Sequence, residues 1–205
     1  GQGSISKDDF YKLINFIGRK NILDSDIFFE KFKLNKLKNN EVCLTFDDAI
    51  KSQVDIALPV LEDLKIKSFF FVYTSMFEEK PDNLEIFRYF RMHYFKNVDA
   101  FYKDFFNVLD LDLENFFKIN QKVIEERKKR YPFYSLEDIK FRLVRDEHLK
   151  ENEYEKIMSS LMVEKKFNPE NIYDKLFFNR EDIILLDKLG HKIGLHSHSH
   201  PTSIA

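Results

Sequence analysis

Glycine is scarce in this chain: Gly1, Gly3, Gly18, Gly190 and Gly194 are all five of it. A phosphate-cradling loop of the Walker or Rossmann type needs closely spaced glycines, so nucleotide binding of that kind is disfavoured. Cysteine is scarcer still. Cys43 alone leaves no internal disulfide framework, and its place in an apolar run predicts a buried, inert thiol. An excess of either charge is also missing. Lysine plus arginine number 33 against 35 aspartate plus glutamate, which argues against a broad basic face for nucleic acid or an acidic membrane. No run is long and apolar enough to cross a bilayer, so no membrane span is expected. The opening Gly1-Gln-Gly-Ser4 has no charged-then-apolar leader pattern, which makes the cytoplasm the default location.

What is present is enough apolar sequence for one domain with a core, with room for an appended subdomain: 43% of 205 residues are hydrophobic. Ser6 can cap a first helix, with Asp9 at its third position and Phe10, Leu13, Ile14 and Ile17 at helical spacing. A second short helix follows Ser25 or Asp26 through Phe28, Phe29 and Phe32. These two helices form an N-terminal segment, residues 1–40, expected to pack on the main domain.

Glu41–Phe46 and Lys67–Thr74 are β-prone apolar runs, read as buried strands. Between them Val54, Ala57, Leu58, Leu61 and Leu64 give a helical stripe, which Pro59 must kink or open. Strand–helix–strand is the parallel α/β pattern. From residue 78 to 178 the character changes to dense charge, no glycine and aromatics at helical spacing, a large α-helical insertion. Its phenylalanines, Phe87, Phe90, Phe101 and Phe105 among them, read as a local core. The run Glu125–Arg130 pairs opposite charges four residues apart and reads as a solvated helix face. Asn179 with Asp182 looks like a capping box, Gly190 ends that helix, and Lys192–Leu195 is a third strand.

Two polar clusters follow strand ends. Thr45-Phe-Asp-Asp48 closes the first strand, and His196-Ser-His-Ser-His200 closes the third. Active sites of parallel α/β folds are built at such ends. One carboxylate, Asp48, and two imidazoles, His196 and His200, suit a divalent metal with positions left for water and substrate. The four-residue spacing of the histidines fits a helical turn after the strand. If the chain stays extended instead, His196, His198 and His200 point one way and form a three-histidine set with Asp48 behind it. Asp47 and Asp48 point in opposite directions, so one can bind the metal while the other faces its water as a general base.

These residues resemble the polysaccharide deacetylases, carbohydrate esterase family 4. Thr45–Asp48 and His196–Pro201 look like the first two motifs of that family. The stretches Ala57–Leu61, Lys67–Val72 and Leu189–His196 look like its surrounding segments. The resemblance covers residues 41–77 and 179–205, about a third of the chain. It implies an α/β fold, an incomplete distorted (β/α) barrel interrupted by the insertion. It implies removal of an N-acyl group, usually acetyl, from an amino sugar or glycan. By that resemblance Asp47 is the general base, and Asp48, His196 and His200 hold Zn2+, with Co2+, Ni2+ or Mn2+ as alternatives. Thr45 and Ser197 support the two loops.

The pattern departs from the family in three ways. Ala49 stands where the family has glycine, which requires that the backbone there avoid left-handed geometry. The span between the motifs is longer than in the family. The later motifs, with the arginine that orients the base and the histidine acid, are not in these 205 residues. The expected object is thus the front part of a deacetylase. The competing expectation is a non-catalytic half-barrel that works by pairing with a second copy or a partner. A relative acting on a formamide or a small cyclic amide is a third.

Overall fold

The computed structural model describes residues 5–78 and 83–198. The chain divides into two compact units, one of residues 1–83 with 170–205 and one of residues 84–169.

The first unit is built on a three-stranded parallel sheet in the order β1 (Thr45–Phe46), β2 (Phe69–Val72), β3 (Lys192–Leu195). The α/β class expected from the sequence is therefore present. Alternation on β2 sends Phe70 and Val72 into the core while Phe69 and Phe71 stack with each other on the opposite face. Helix α1 (Lys7–Ile17) begins at Ser6, whose side chain accepts the Asp9 N–H, and lays Phe10 and Ile14 on the core. Helix α2 (Ser25–Lys33) begins where expected, but Phe29 and Phe32 are half-exposed or more. They border an apolar groove of about 330 Å³ with Cys43, Thr45, Phe69 and Phe71. Cys43 is only half-buried, and burial pushes its thiol up to about 11, so it stays protonated at neutral pH.

Both early strands are shorter than the apolar runs suggest. Val42 turns away to pair with Ile22: its N–H reaches the Asn21 carbonyl at 2.9 Å and its carbonyl takes the Leu23 N–H at 2.9 Å. At the next strand the Lys67 N–H is held by Asp24 Oδ1 at 2.9 Å, and the Ser68 N–H by His191 Nδ1 at 3.1 Å. Pro59 opens α3 (Leu58–Asp63), after a wide turn over Gln53–Ala57. That placement wastes no donor, since first-turn N–H groups have no helical partner. α10 (Tyr173–Leu176) is a single turn before α11 (Arg180–Lys188). Asn179 and Asp182 exchange side-chain bonds with each other's N–H groups, so the capping box forms.

His191 locks β2, β3 and α3 together. Its Nδ1 accepts from Ser68, which places the remaining proton on Nε2, 3.4 Å from Glu62 Oε1. Burial first, then the nearby Lys67 charge, lowers its pKa against the opposing pull of Glu62. The folded protein thus takes up a proton on this ring less readily than the unfolded chain, which does so below about pH 6.5. The stability it contributes is present above that pH and is lost as pH falls. Melting temperatures compared between pH 7.5 and 5.5 are expected to fall more for the wild type than for His191→Asn, which cannot titrate there. Equal falls would remove His191 from the acid response.

The second unit holds α4 (Asn83–His93), α5 (Val98–Asn107), α6 (Leu113–Ile119), α7 (Gln121–Arg130), α8 (Leu136–Leu143) and α9 (Glu151–Glu164). Its core is aromatic, as the helical spacing suggests: Phe90, Phe101, Phe105 and Phe141 are fully buried, and Phe105 meets Phe141 edge-on at 4.9 Å. One buried carboxylate has no counterpart among the sequence expectations. Asp138 has no exposed surface and accepts from Tyr102 Oη at 2.5 Å and Arg142 Nε at 2.6 Å. Among the described residues no helix is long and apolar enough to cross a membrane.

Candidate functional site

The C-terminal ends of the three strands converge. β1 delivers Asp47 and Asp48, β2 delivers Thr74 and Ser75, and β3 delivers His196, Ser197 and His198. The register carries on past the strands: the His196 N–H reaches the Val72 carbonyl at 2.7 Å, and the Ser75 N–H reaches the His198 carbonyl at 2.9 Å.

Asp48 Oδ1 lies 3.4 Å from His196 Nε2. Metal–nitrogen and metal–oxygen bonds of about 2.0–2.2 Å at a tetrahedral angle put two donor atoms about 3.3–3.5 Å apart. The pair is therefore spaced as two ligands of one small cation. Both side chains are partly exposed, so a third ligand, water and a substrate have access. The next expected ligand, His200, lies outside the described residues. Among the described residues no group of three His, Cys, Asp or Glu side chains gathers at metal-binding distance.

The loops reach this geometry through left-handed backbone. Asp48 has φ 71° and Ser197 has φ 72°. Ala49 has φ 49°, which corrects the expectation that its backbone avoids that region. Pairing with a distant segment imposes the turn: the Ala49 carbonyl accepts the Phe178 N–H at 2.8 Å, and Ile50 bridges Phe177. Holding alanine there costs about 1–2 kcal/mol. Replacement by glycine relieves that strain but loses a buried methyl and adds unfolded-state freedom, each worth about 0.5–1 kcal/mol. Ala49→Gly is thus expected within about 1 kcal/mol of wild type in urea unfolding. Ala49→Val is expected to lose roughly 3 kcal/mol, because a branched side chain is both strained and overpacked at a fully buried site. Similar stability for the two variants would show that the turn is not strained.

Asp47 is exposed, and its carbonyl, not its carboxylate, accepts from Gln53 Nε2. Thr45 sits on β1 and lines the apolar groove. Ser197, through its positive φ, ends the extended run of β3. That break removes the extended geometry on which the three-histidine alternative depends. His198 instead turns to β2, with Nδ1 2.9 Å from Thr74 Oγ1 and Nε2 3.9 Å from Glu78 Oε2.

The clamp behind this site is absent from the sequence expectations. Lys51 Nζ bonds both oxygens of the buried Asp182 at 2.7 Å, tying the loop after Asp48 to the start of α11. Asp182 is visible in the sequence as a helix cap, but nothing local marks Lys51 as its partner. Thr74 likewise carries no signal until its histidine partner is placed.

Residues 35–133 match the family model of the polysaccharide deacetylases. The match takes in 99 of the 205 residues, just under half of the chain, and is a likeness to a deacetylase-type hydrolase; it overlaps the motif resemblance at residues 41–77 and runs on through residues 78–133. The matched residues include Asp47 and Asp48 and stop short of His196. No curated protein and no solved structure matches the chain.

Proposed function

We propose that the chain carries the metal-binding half of an N-deacetylase acting on an amino sugar or glycan, on the front strands of a (β/α) barrel. The observation that carries this reading is the 3.4 Å approach of Asp48 Oδ1 to His196 Nε2, from 148 positions apart in the sequence, at the spacing of two ligands of one cation. Asp48, His196 and His200 would hold the ion, zinc or a similar divalent metal. Such an ion supplies Lewis acidity toward an amide carbonyl and makes water acidic enough to attack at neutral pH.

This chain's own residues then have defined tasks. Asp47, exposed beside Asp48, accepts the proton of the attacking water. The Gln53 bond to the Asp47 carbonyl and the Lys51–Asp182 pair hold the carboxylate loop in place. Ser197 bends the histidine segment away from the sheet. A cation between Asp48 and His196 also gives the left-handed turn at Asp48 and Ala49 a purpose.

The test is release of acetate from N-acetylated glucosamine oligomers. Activity is expected to vanish on chelation and return with added zinc or cobalt. Release that continues unchanged in chelator would refute the metal-dependent reading.

A further inference from the structure

The unit of residues 84–169 contains a cleft that the reaction does not use. It has a volume of about 580 Å³ and lies along the end of α7, the connection to α8, and α8 itself. That volume suits one or two sugar rings. Its aromatic wall is Tyr131 and Tyr134, with ring centroids 5.8 Å apart and Pro132 stiffening the connection between them.

Guanidinium groups lie over the faces of these rings. Arg142 lies 4.2 Å from the centre of Tyr134, and Arg130 lies 5.5 Å from the centre of Tyr131. Two arginines of the wall are already neutralised. Arg142 is bound by Asp138, and Arg127 is bound by Glu147 at 2.7 Å. Glu126 adds a carboxylate to the same lining, and Asp146 adds another that is itself bound by Arg145 Nε at 2.6 Å. Donors and acceptors therefore alternate around aromatic faces with little net charge. A polyanion would meet those carboxylates as well as the arginines. Vicinal hydroxyls, which both give and take hydrogen bonds, satisfy both kinds of group.

We infer that this cleft is a binding site for a neutral, hydroxyl-rich glycan, which it holds through Tyr131, Tyr134 and the arginine–carboxylate frame. The ligand class rests on the reading of the chain as a glycan deacetylase; the cleft itself needs no metal.

Isothermal titration calorimetry of the whole chain with penta-N-acetylchitopentaose, in chelator, tests this. The wild type is expected to bind. Arg130→Ala combined with Tyr131→Ala is expected to weaken binding about tenfold or more. Arg130 is exposed, so Arg130→Ala alone, with an unchanged melting temperature, is expected to weaken it severalfold if the double variant is unstable. Absence of binding, equal affinity in wild type and variants, or tighter and salt-sensitive binding of a sulfated oligosaccharide or a DNA oligomer would overturn the inference. Binding lost in these variants while acetate release fails in every protein would sink the deacetylase reading and leave the cleft standing.

Discussion

Asp138→Ala is expected to destabilise the protein by about 3–5 kcal/mol, a drop in melting temperature of roughly 6–20 °C. Burial alone would raise the pKa of this carboxyl, yet the Tyr102 hydroxyl and Arg142 outweigh burial and hold it below the usual range. The carboxylate is therefore charged inside the second unit. Arg91 is buried nearby over the Phe141 ring, where desolvation lowers its pKa and the Asp138 charge opposes that. Removing Asp138 takes one acceptor from the Tyr102 hydroxyl and the carboxylate from Arg142. Breaking one side of such an arrangement costs more than the pair contributes, because the other side stays desolvated. The depression also sets the sign with pH: such a carboxyl stabilises above about pH 4 and loses that contribution as pH falls through its folded value. Thermal melts of Asp138→Ala and Asp138→Asn at pH 7 check this, with the asparagine variant, which retains a hydrogen-bonding oxygen, losing less. A loss under about 1 kcal/mol for alanine would mean that the aromatic packing alone holds the helices.

That carboxylate also marks where sequence reading stops. Ser6 and Asn179 are legible as caps because capping is settled within four residues. The parallel strands are legible because their apolar runs are local, and Phe87, Phe90, Phe101 and Phe105 because helical spacing puts them on one face. Strand lengths are not, since Val42 is diverted by Ile22 and Ser68 by His191, partners far along the chain. Asp138 looks like one more charge on a polar helix, and only the fold places Tyr102 against it. At the site, the chemistry of carboxylate and imidazole suggests that Asp48 and His196 meet. The left-handed turn at Ala49 runs against the sequence expectation, because the pull of Phe178 on its carbonyl comes from 129 residues away. The exposed Phe29 and Phe32 likewise depend on what covers the far face of the sheet, which no periodicity reveals.

Metal binding is the second large effect. Loss of a group that only supports a metal ligand typically weakens affinity ten- to a hundredfold, so loss of a ligand itself should cost at least about a hundredfold. Asp48→Ala and His196→Ala are both expected to reach that loss. Asp47→Asn should keep the metal and yet slow acetate release about 10²–10⁴-fold, as removal of a general base does. This split separates the two adjacent carboxylates, which lie one residue apart in the sequence and serve different atoms.

The most direct test is zinc titration of the wild type, Asp48→Ala and His196→Ala by calorimetry, with elemental analysis of each protein. One ion per wild-type chain and a hundredfold or greater loss in both variants are expected. Wild-type protein that takes up no divalent metal, or variants that bind it as tightly as wild type, would contradict this.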